Sequence, residues 1–317
     1  MLNENSNTTI MKHCIFLILF LSFFSLYAQD ESIVKGTEQL IKGEGKKSDK
    51  ALENLMLAQN QSFFLQALVP YFRDTVASVR SKAYSYTARL GVRALSPELR
   101  QKCVEYLVSA WTDRDAGVVS VTSMALSTFT RSDFSLNTID TLCCLLKKDV
   151  HQFSRLIRIC GFAGTDTLKK ALLQLTDAKI LQKADNRWSR HLALARCGNT
   201  EDIDYCVRIT EKMPLNDDYV DNVIPDLIYT HQRACYDAVI KRMGSDDKNC
   251  MSVNPTKEEH IVCGFIIMEY FAGVVEGFPF EKAPGGGLKT DDYPGALKSV
   301  REWFAAHKDY VISTDKY

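Results

Sequence analysis

The residues best suited to chemistry in this 317-residue chain fall into three groups. His231 with Cys235, and His260 with Cys263, could each share one face of a helix. Together they would offer two nitrogens and two thiolates, a donor set that suits tetrahedral zinc. The pairs stand in different predicted helices and lack the compact spacing of a zinc module. They read as thiols in apolar stripes beside partly buried histidines, and no metal or cofactor is assigned. Asp291 and Asp292 are the second group, a carboxylate pair in the Gly/Pro-rich stretch 277–295. Paired acids there could serve general acid–base chemistry on a polysaccharide, but acids in a loop are ordinarily solvated. The third group is basic and aromatic: Arg155 and Arg158 on one predicted helix, then Arg187, Trp188, Arg190 and His191 on the next. These could hold an acidic or glycan ligand. Alternatively, Asp217, Asp218, Asp221 and Asp226 on the following helix could neutralise them in an internal charge ladder.

No Gly-x-Ser-x-Gly elbow, His-Glu-x-x-His helix or Gly-x-x-x-x-Gly-Lys loop occurs. Gly285, Gly286 and Gly287 lack the preceding strand that a phosphate cradle needs. A non-catalytic protein is therefore expected.

The elements that must position these groups are helices. Strand signals are almost absent, whereas the 3.6-residue period recurs. Over 75–91 the stripe is Val76, Val79, Ala83, Tyr86 and Leu90; over 96–112 it is Leu99, Cys103, Tyr106, Leu107 and Ala110. Ser96 and Pro97 give the second helix an N-cap and a first-turn proline. Further helices are predicted over 115–129, 135–147 (through Leu136, Ile139, Leu142 and Leu146), 257–272 and 296–310. Gly91, Gly161 and Gly198 fall at predicted helix ends, with Thr130, His231 and Gly273 as their counterparts elsewhere. Breaks at Gly91, Thr130, Gly161, Gly198, His231 and Gly273 are 39, 31, 37, 33 and 42 residues apart. That is the spacing of helix-pair repeats, each too small to bury its own apolar face.

The run Asp74-Thr-Val-Ala-Ser-Val79-Arg80-Ser-Lys-Ala83, continuing to Ala88-Arg-Leu90-Gly91, resembles the HEAT repeat of the bacterial HEAT-like, armadillo-related group. Asp113 and Val118 keep the offset, with Val119 in place of the arginine. Residues 156–173 and 192–207 look like later helix–turn–helix junctions, so the resemblance spans about 60–275. It implies an all-α fold, an α-α superhelix of about five to six helix pairs with a C-terminal capping helix. It also implies that Asp74 caps an inner helix and that Arg80 pairs with the neighbouring repeat.

Lys12 precedes the short apolar run 14–28, and Ala28 precedes polar Gln29. This is the pattern of a cleavable secretory signal over 1–28, too short for the roughly 20 residues of a membrane helix. No stable membrane span is expected after cleavage, and the protein is expected in the periplasm or outside the cell. The expected organisation is then a repeat domain over 29–276, a loop over 277–295 and a capping helix with its tail over 296–317. Lysine plus arginine and aspartate plus glutamate number 39 each. Without a basic excess, nucleic acid is an unsuitable partner, and a protein or peptide is the expected one. Of ten cysteines, Cys250 and Cys263 are the pair best placed for a disulfide, closing a polar loop. Cys160 and Cys197 sit on stacked helices expected about 8–10 Å apart, too far for a bridge.

Overall fold

The computed structural model describes residues 31–43, 46–252, 259–313 and 317. The expected signal segment lies outside them, and the described residues form an all-α fold. Its only strand pairing among the described residues is one two-stranded ribbon and two isolated bridges. No described helix is long and apolar enough to cross a membrane. The chain divides into two compact units, Met1–Ala125 and Leu126–Tyr317, a division that the repeat spacing does not mark.

The first unit runs through α1 (31–42), α2 (Lys46–Leu55), α3 (Gln61–Leu68), α4 (Ala77–Arg93), α5 (Pro97–Ser109) and α6 (Ala116–Ala125). Helix α4 packs on its pair-mate α5 and on α6, the first helix of the next pair. Ser96 caps α5 as expected, its side chain accepting the Leu99 amide with Pro97 in the first turn. The buried stripe of α4 is rotated from the predicted one. Ala83 and Leu90 are in the core, but so are Arg80, Tyr84, Thr87 and Ala88, while Val76 is 52% exposed. Thr87 can enter the core because its hydroxyl donates to the Ala83 carbonyl, which satisfies the polar atom at no further cost. The helix also runs through Gly91 to Arg93, so Gly91 is no cap.

The second unit contains α7 (Leu136–Leu145), α8 (Phe153–Ala163), α9 (Asp166–Leu173), α10 (Ala178–Gln182), α11 (Ala184–Arg196) and α12 (Thr200–Lys212). It continues with α13 (Ile224–Tyr229), α14 (Arg233–Met243), α15 (Gly264–Ile267) and α16 (Tyr293–Ala306). Helix α8 packs on α9 and α11, α11 on α12 and α13, and α12 on α14, so each pair buries its apolar face on the next. Phe162, Leu192 and Leu227 are fully buried in these seams, each worth roughly 1.5–3 kcal/mol of transfer free energy. Ser135, Thr165, Asp177 and Asn199 cap α7, α9, α10 and α12 by accepting first-turn amides. Leu136, expected inside, is 83% exposed because Thr138, Ile139, Leu142 and Leu145 form the buried face instead.

Gly161 lies inside α8, and the left-handed cap is Gly164, with φ +63°. A Cβ on Gly161 would come within 2.6 Å of Ala193 and of the Tyr229 hydroxyl, so the glycine is there for close helix approach. Gly198, His231 and Gly273 do adopt positive φ, whereas Thr130 does not.

Cys250 and Cys263 form the disulfide. They flank a ribbon in which β1 (Cys250–Met251) pairs with β2 (His260–Ile261). The expected helix over 257–272 therefore begins only at Gly264, and His260 stands on a strand. Helix α16 begins at Tyr293 rather than Ala296, N-capped by Asp292. It caps the end of the stack: Arg301 donates to the last carbonyl of α14 at Met243, to the Ser245 carbonyl just beyond it, and to the Asp246 carboxylate.

The Arg80 guanidinium donates to both Asp113 carboxylate oxygens at 2.7 Å, and to the Asp74 and Thr75 carbonyls. Asp74 itself accepts the Val76 amide in the turn before α4. Burial works to raise the Asp113 carboxyl, but the Arg80 hydrogen bonds, the Asp115 amide and nearby arginine charge hold it below the usual carboxylate range. The pair is nearly covered, yet it lines a cavity of about 610 Å³ that water can enter. Removing the acid should therefore cost somewhat less than in a dry interior. D113A should lose about 2–3 kcal/mol in denaturant unfolding, and a loss near zero would show that the pair is not structural.

His231 is 9% exposed, and its Nδ1 has no hydrogen-bond partner among the described residues. Burial and the Arg196 charge push the imidazole down to about 3. It is neutral in the fold while the unfolded imidazole protonates below about pH 6.5, so stability falls as pH falls from there towards 3. H231N tolerates the positive φ. It should flatten the stability–pH slope between pH 6 and 4 by up to about 1.4 kcal/mol per pH unit, measured by urea unfolding.

Candidate functional site

Within the second unit, an open groove of about 820 Å³ is lined by α8, α11, α13 and the end of α12, which supplies Ile209 and Met213. From α8 come Arg155 and Arg158; from α11, Asp185, Trp188 and Ser189; from the segment entering α13, Asp221, Asn222 and Val223; and from α13, Pro225 and Asp226. Tyr219–Val223 forms a π-helical turn. It precedes Pro225, whose missing N–H is tolerated in a helix's first turn. The widened turn presents exposed Asp221 and Asn222 at the groove, and such turns recur at functional sites.

Asp226 is the centre of the groove wall. It accepts the Trp188 indole N–H at 2.5 Å and forms a two-point pair with Arg158, one contact at 3.0 Å. Arg158 Nε also donates to Ser189 at 3.1 Å. Burial opposes the Arg158 charge, but the hydrogen bonds and charge of Asp226 more than offset it and keep the guanidinium above its ordinary value. The Tyr229 hydroxyl donates to the Arg158 carbonyl at 2.5 Å. Arg196, buried behind them, lies 4.8 Å from the Tyr229 ring and 5.0 Å from Phe162, and donates to the Tyr229 carbonyl. Burial lowers its affinity for a proton, and the two aromatic faces supply compensating cation–π attraction.

The predicted basic cluster divides. Arg155, Arg158 and Trp188 reach the groove, while the other three turn away. Arg187 donates to the Leu181 and Gln182 carbonyls, and Arg190 to those of Leu172 and Leu173. His191 pairs with Asp202 at 2.6 Å and packs on Tyr205. On a helix, residues 187, 190 and 191 cannot all share the face of 188. The charge-ladder alternative holds at Arg158–Asp226. Asp217, by contrast, accepts the Met251 amide.

The other two groups do not assemble. Cys263 is consumed by its disulfide and His260 lies on a strand, so the four-donor zinc set is not formed. No cluster of three or more potential ligands occurs among the described residues. Asp292 is occupied as the cap of α16.

Sequence reasoning missed Phe162, Tyr229 and Tyr317. Tyr317 packs edge-on against Phe162 at 5.6 Å and Tyr229 at 5.4 Å. Burial raises its phenol, while the charges of Arg158, Arg155 and Arg196 work the other way. Nothing local in the sequence marks this residue, which meets partners 88 and 155 positions away only through the fold.

D226A would strand the Arg158 charge in a partly covered wall and should cost about 3 kcal/mol. R158A/D226A should be at least about 1 kcal/mol more stable than the sum of the single changes. Strict additivity in thermal and denaturant unfolding would remove Asp226 from this central role.

No protein-family model matches the chain, and no curated protein matches its sequence. Among solved structures, it is similar to a crystal structure of an engineered protein from a structural genomics consortium, with 15% identity and a TM-score of 0.38. The match covers 74% of this chain and 66%, just under two thirds, of that one.

Proposed function

We propose that this is an exported, non-catalytic helical-repeat protein of the HEAT-like, α-solenoid kind, which holds a protein or peptide partner in the groove of its second unit. The observation that carries this reading is the mixed lining of that groove. Two arginines and three aspartates line it together with Trp188 and the apolar Ile209, Met213, Val223 and Pro225. A small anion would meet more acid than base there, and Arg158 is already neutralised by Asp226. A peptide, with apolar side chains, charges of both signs and backbone amides, matches the lining throughout. The Cys250–Cys263 disulfide supports the exported location, because such bonds persist in oxidising compartments. The equal numbers of acids and bases argue against nucleic acid as the partner. No observation favours catalysis by the 277–295 loop, since one of its two candidate acids serves as a helix cap.

A photo-crosslinking amino acid placed at exposed Asn222 should give a discrete product with a partner in the native cell envelope. The same group at exposed Lys170 on α9 should not. Identical products from both sites, or none from Asn222, would remove the groove as a binding surface.

A further inference from the structure

The geometry points to a second binding site, in the first unit, for a small carboxylate that carries an aromatic ring. The site is the cavity of about 610 Å³ beside the Arg80–Asp113 pair, and it is independent of the groove in the second unit. That volume falls within the roughly 300–1,000 Å³ of small-molecule pockets.

The charges lining this cavity leave positive charge unmatched. Arg80 gives Nε and Nη2 to the two Asp113 oxygens and Nη1 to the Asp74 and Thr75 carbonyls, so its charge is already answered. Asp74 spends a carboxylate oxygen on the Val76 amide. Against it stand Arg73 and Arg114, both exposed and both lining the cavity. Arg73 ends the turn before α4 and makes no hydrogen bond or ion pair among the described residues. Arg114 precedes α6, and its Nη2 donates to the Thr75 carbonyl at 2.9 Å. That bond draws Arg114 across to the turn that carries Arg73 and leaves most of its N–H groups unspent. Guanidinium forks suit a carboxylate, which accepts paired donors in one plane. The second-unit groove, with three aspartates to two arginines, has the opposite balance.

The two arginines are also held in place. Arg73 precedes Asp74 and Arg114 follows Asp113, so the buried Arg80 guanidinium that ties Asp74 to Asp113 fixes the backbone beside both. Arg80 is thus a positioning residue, and Arg73 and Arg114 are the binding ones.

Behind them the lining is aromatic. Phe72 stacks on Tyr84 at 4.5 Å, with 7° between the ring planes, and meets Tyr106 at 5.1 Å. Tyr84 is buried, whereas Phe72 and Tyr106 are half-buried, which leaves part of each facing the cavity. A flat ring matches such a wall in shape and quadrupole. Exposed arginines by themselves hold an anion weakly, and a few half-covered rings are ordinary surface. Their meeting at one cavity selects a ligand whose ring and carboxylate are a few bonds apart.

Ligand-observed NMR titration of the unaltered protein with N-acetyl-phenylalanine at low salt should give a Kd on the order of 1 mM or tighter. N-acetyl-phenylalanine amide, which lacks the carboxylate, and N-acetyl-alanine, which lacks the ring, should each bind at least about tenfold more weakly. R73A, which breaks no contact of the fold, should weaken the aromatic acid about tenfold, and R73K should restore only part of the loss. No binding of the aromatic acid, equal affinity for the acid and its amide, or unchanged affinity in R73A overturns the site. Tighter binding of glucuronate, a sugar carboxylate, overturns the aromatic ring as the feature recognised. The crosslinking result at Asn222 bears on the second-unit groove alone.

Discussion

The second unit depends on one carboxylate. Asp226 sits where α8, α11 and α13 converge, and it is the acceptor for both the Arg158 guanidinium and the Trp188 indole. Other polar ties between those helices are single bonds: Arg158 to Ser189, Tyr229 to the Arg158 carbonyl and Arg196 to the Tyr229 carbonyl. The apolar side chains between them attract without direction and tolerate sliding. A charged acceptor with two donors from different helices does not tolerate it, because a small shift leaves a covered charge without its bonds. The carboxylate thus sets the relative register of three helices. In doing so it fixes the width of the groove and the spacing of the rings behind it.

The first unit uses the same device at another junction. Arg80 on α4 reaches the Asp113 carboxylate before α6, and the same guanidinium satisfies the carbonyls of the turn that leads into α4. One side chain therefore ties a helix, its own entry turn and the next pair. Fully satisfied polar contacts of this kind add direction to seams whose apolar packing has none. The contrast between the units is in what lies beside the pair. In the first, Phe72 stacks on Tyr84 at 4.5 Å within the cavity wall. In the second, the neighbouring rings are arranged around a third that arrives from elsewhere in the chain.

The cysteines divide by the same physics. Cys103, Cys160, Cys206 and Cys235 are buried and free, and burial pushes each thiol upward, Cys235 to about 11. They are protonated, unreactive apolar fillers. Only Cys250 and Cys263, in a polar segment outside the helix stripes, are joined. Cys143, Cys144 and Cys197 are free although less covered, and Cys250 and Cys263 are themselves buried, so the ribbon that brings these two together, rather than exposure, decides which thiols are joined.

Much of the local architecture was legible in the residues themselves. Helical periodicity, the Ser96–Pro97 start and the left-handed positions at Gly198, His231 and Gly273 follow from short-range backbone sterics and hydrogen bonding, which a few neighbouring residues determine, and the Cys250–Cys263 bridge from two thiols only 13 positions apart across a polar loop. Even the arginine–aspartate pairing was visible as a choice, since opposite charges on adjacent helices leave few alternatives. What the tertiary structure alone decided is which side of each helix faces inward and which distant residues meet. Arg187, Arg190 and His191 turn from the groove because α11 is rotated to seat Trp188 on Asp226. Gly161 serves packing rather than capping because Ala193 and Tyr229 crowd against it. Arg158 and Asp226 are 68 residues apart, and Tyr317 is more distant still from Phe162. No local rule links such positions; they are joined only once the stacked helices have fixed every junction between them.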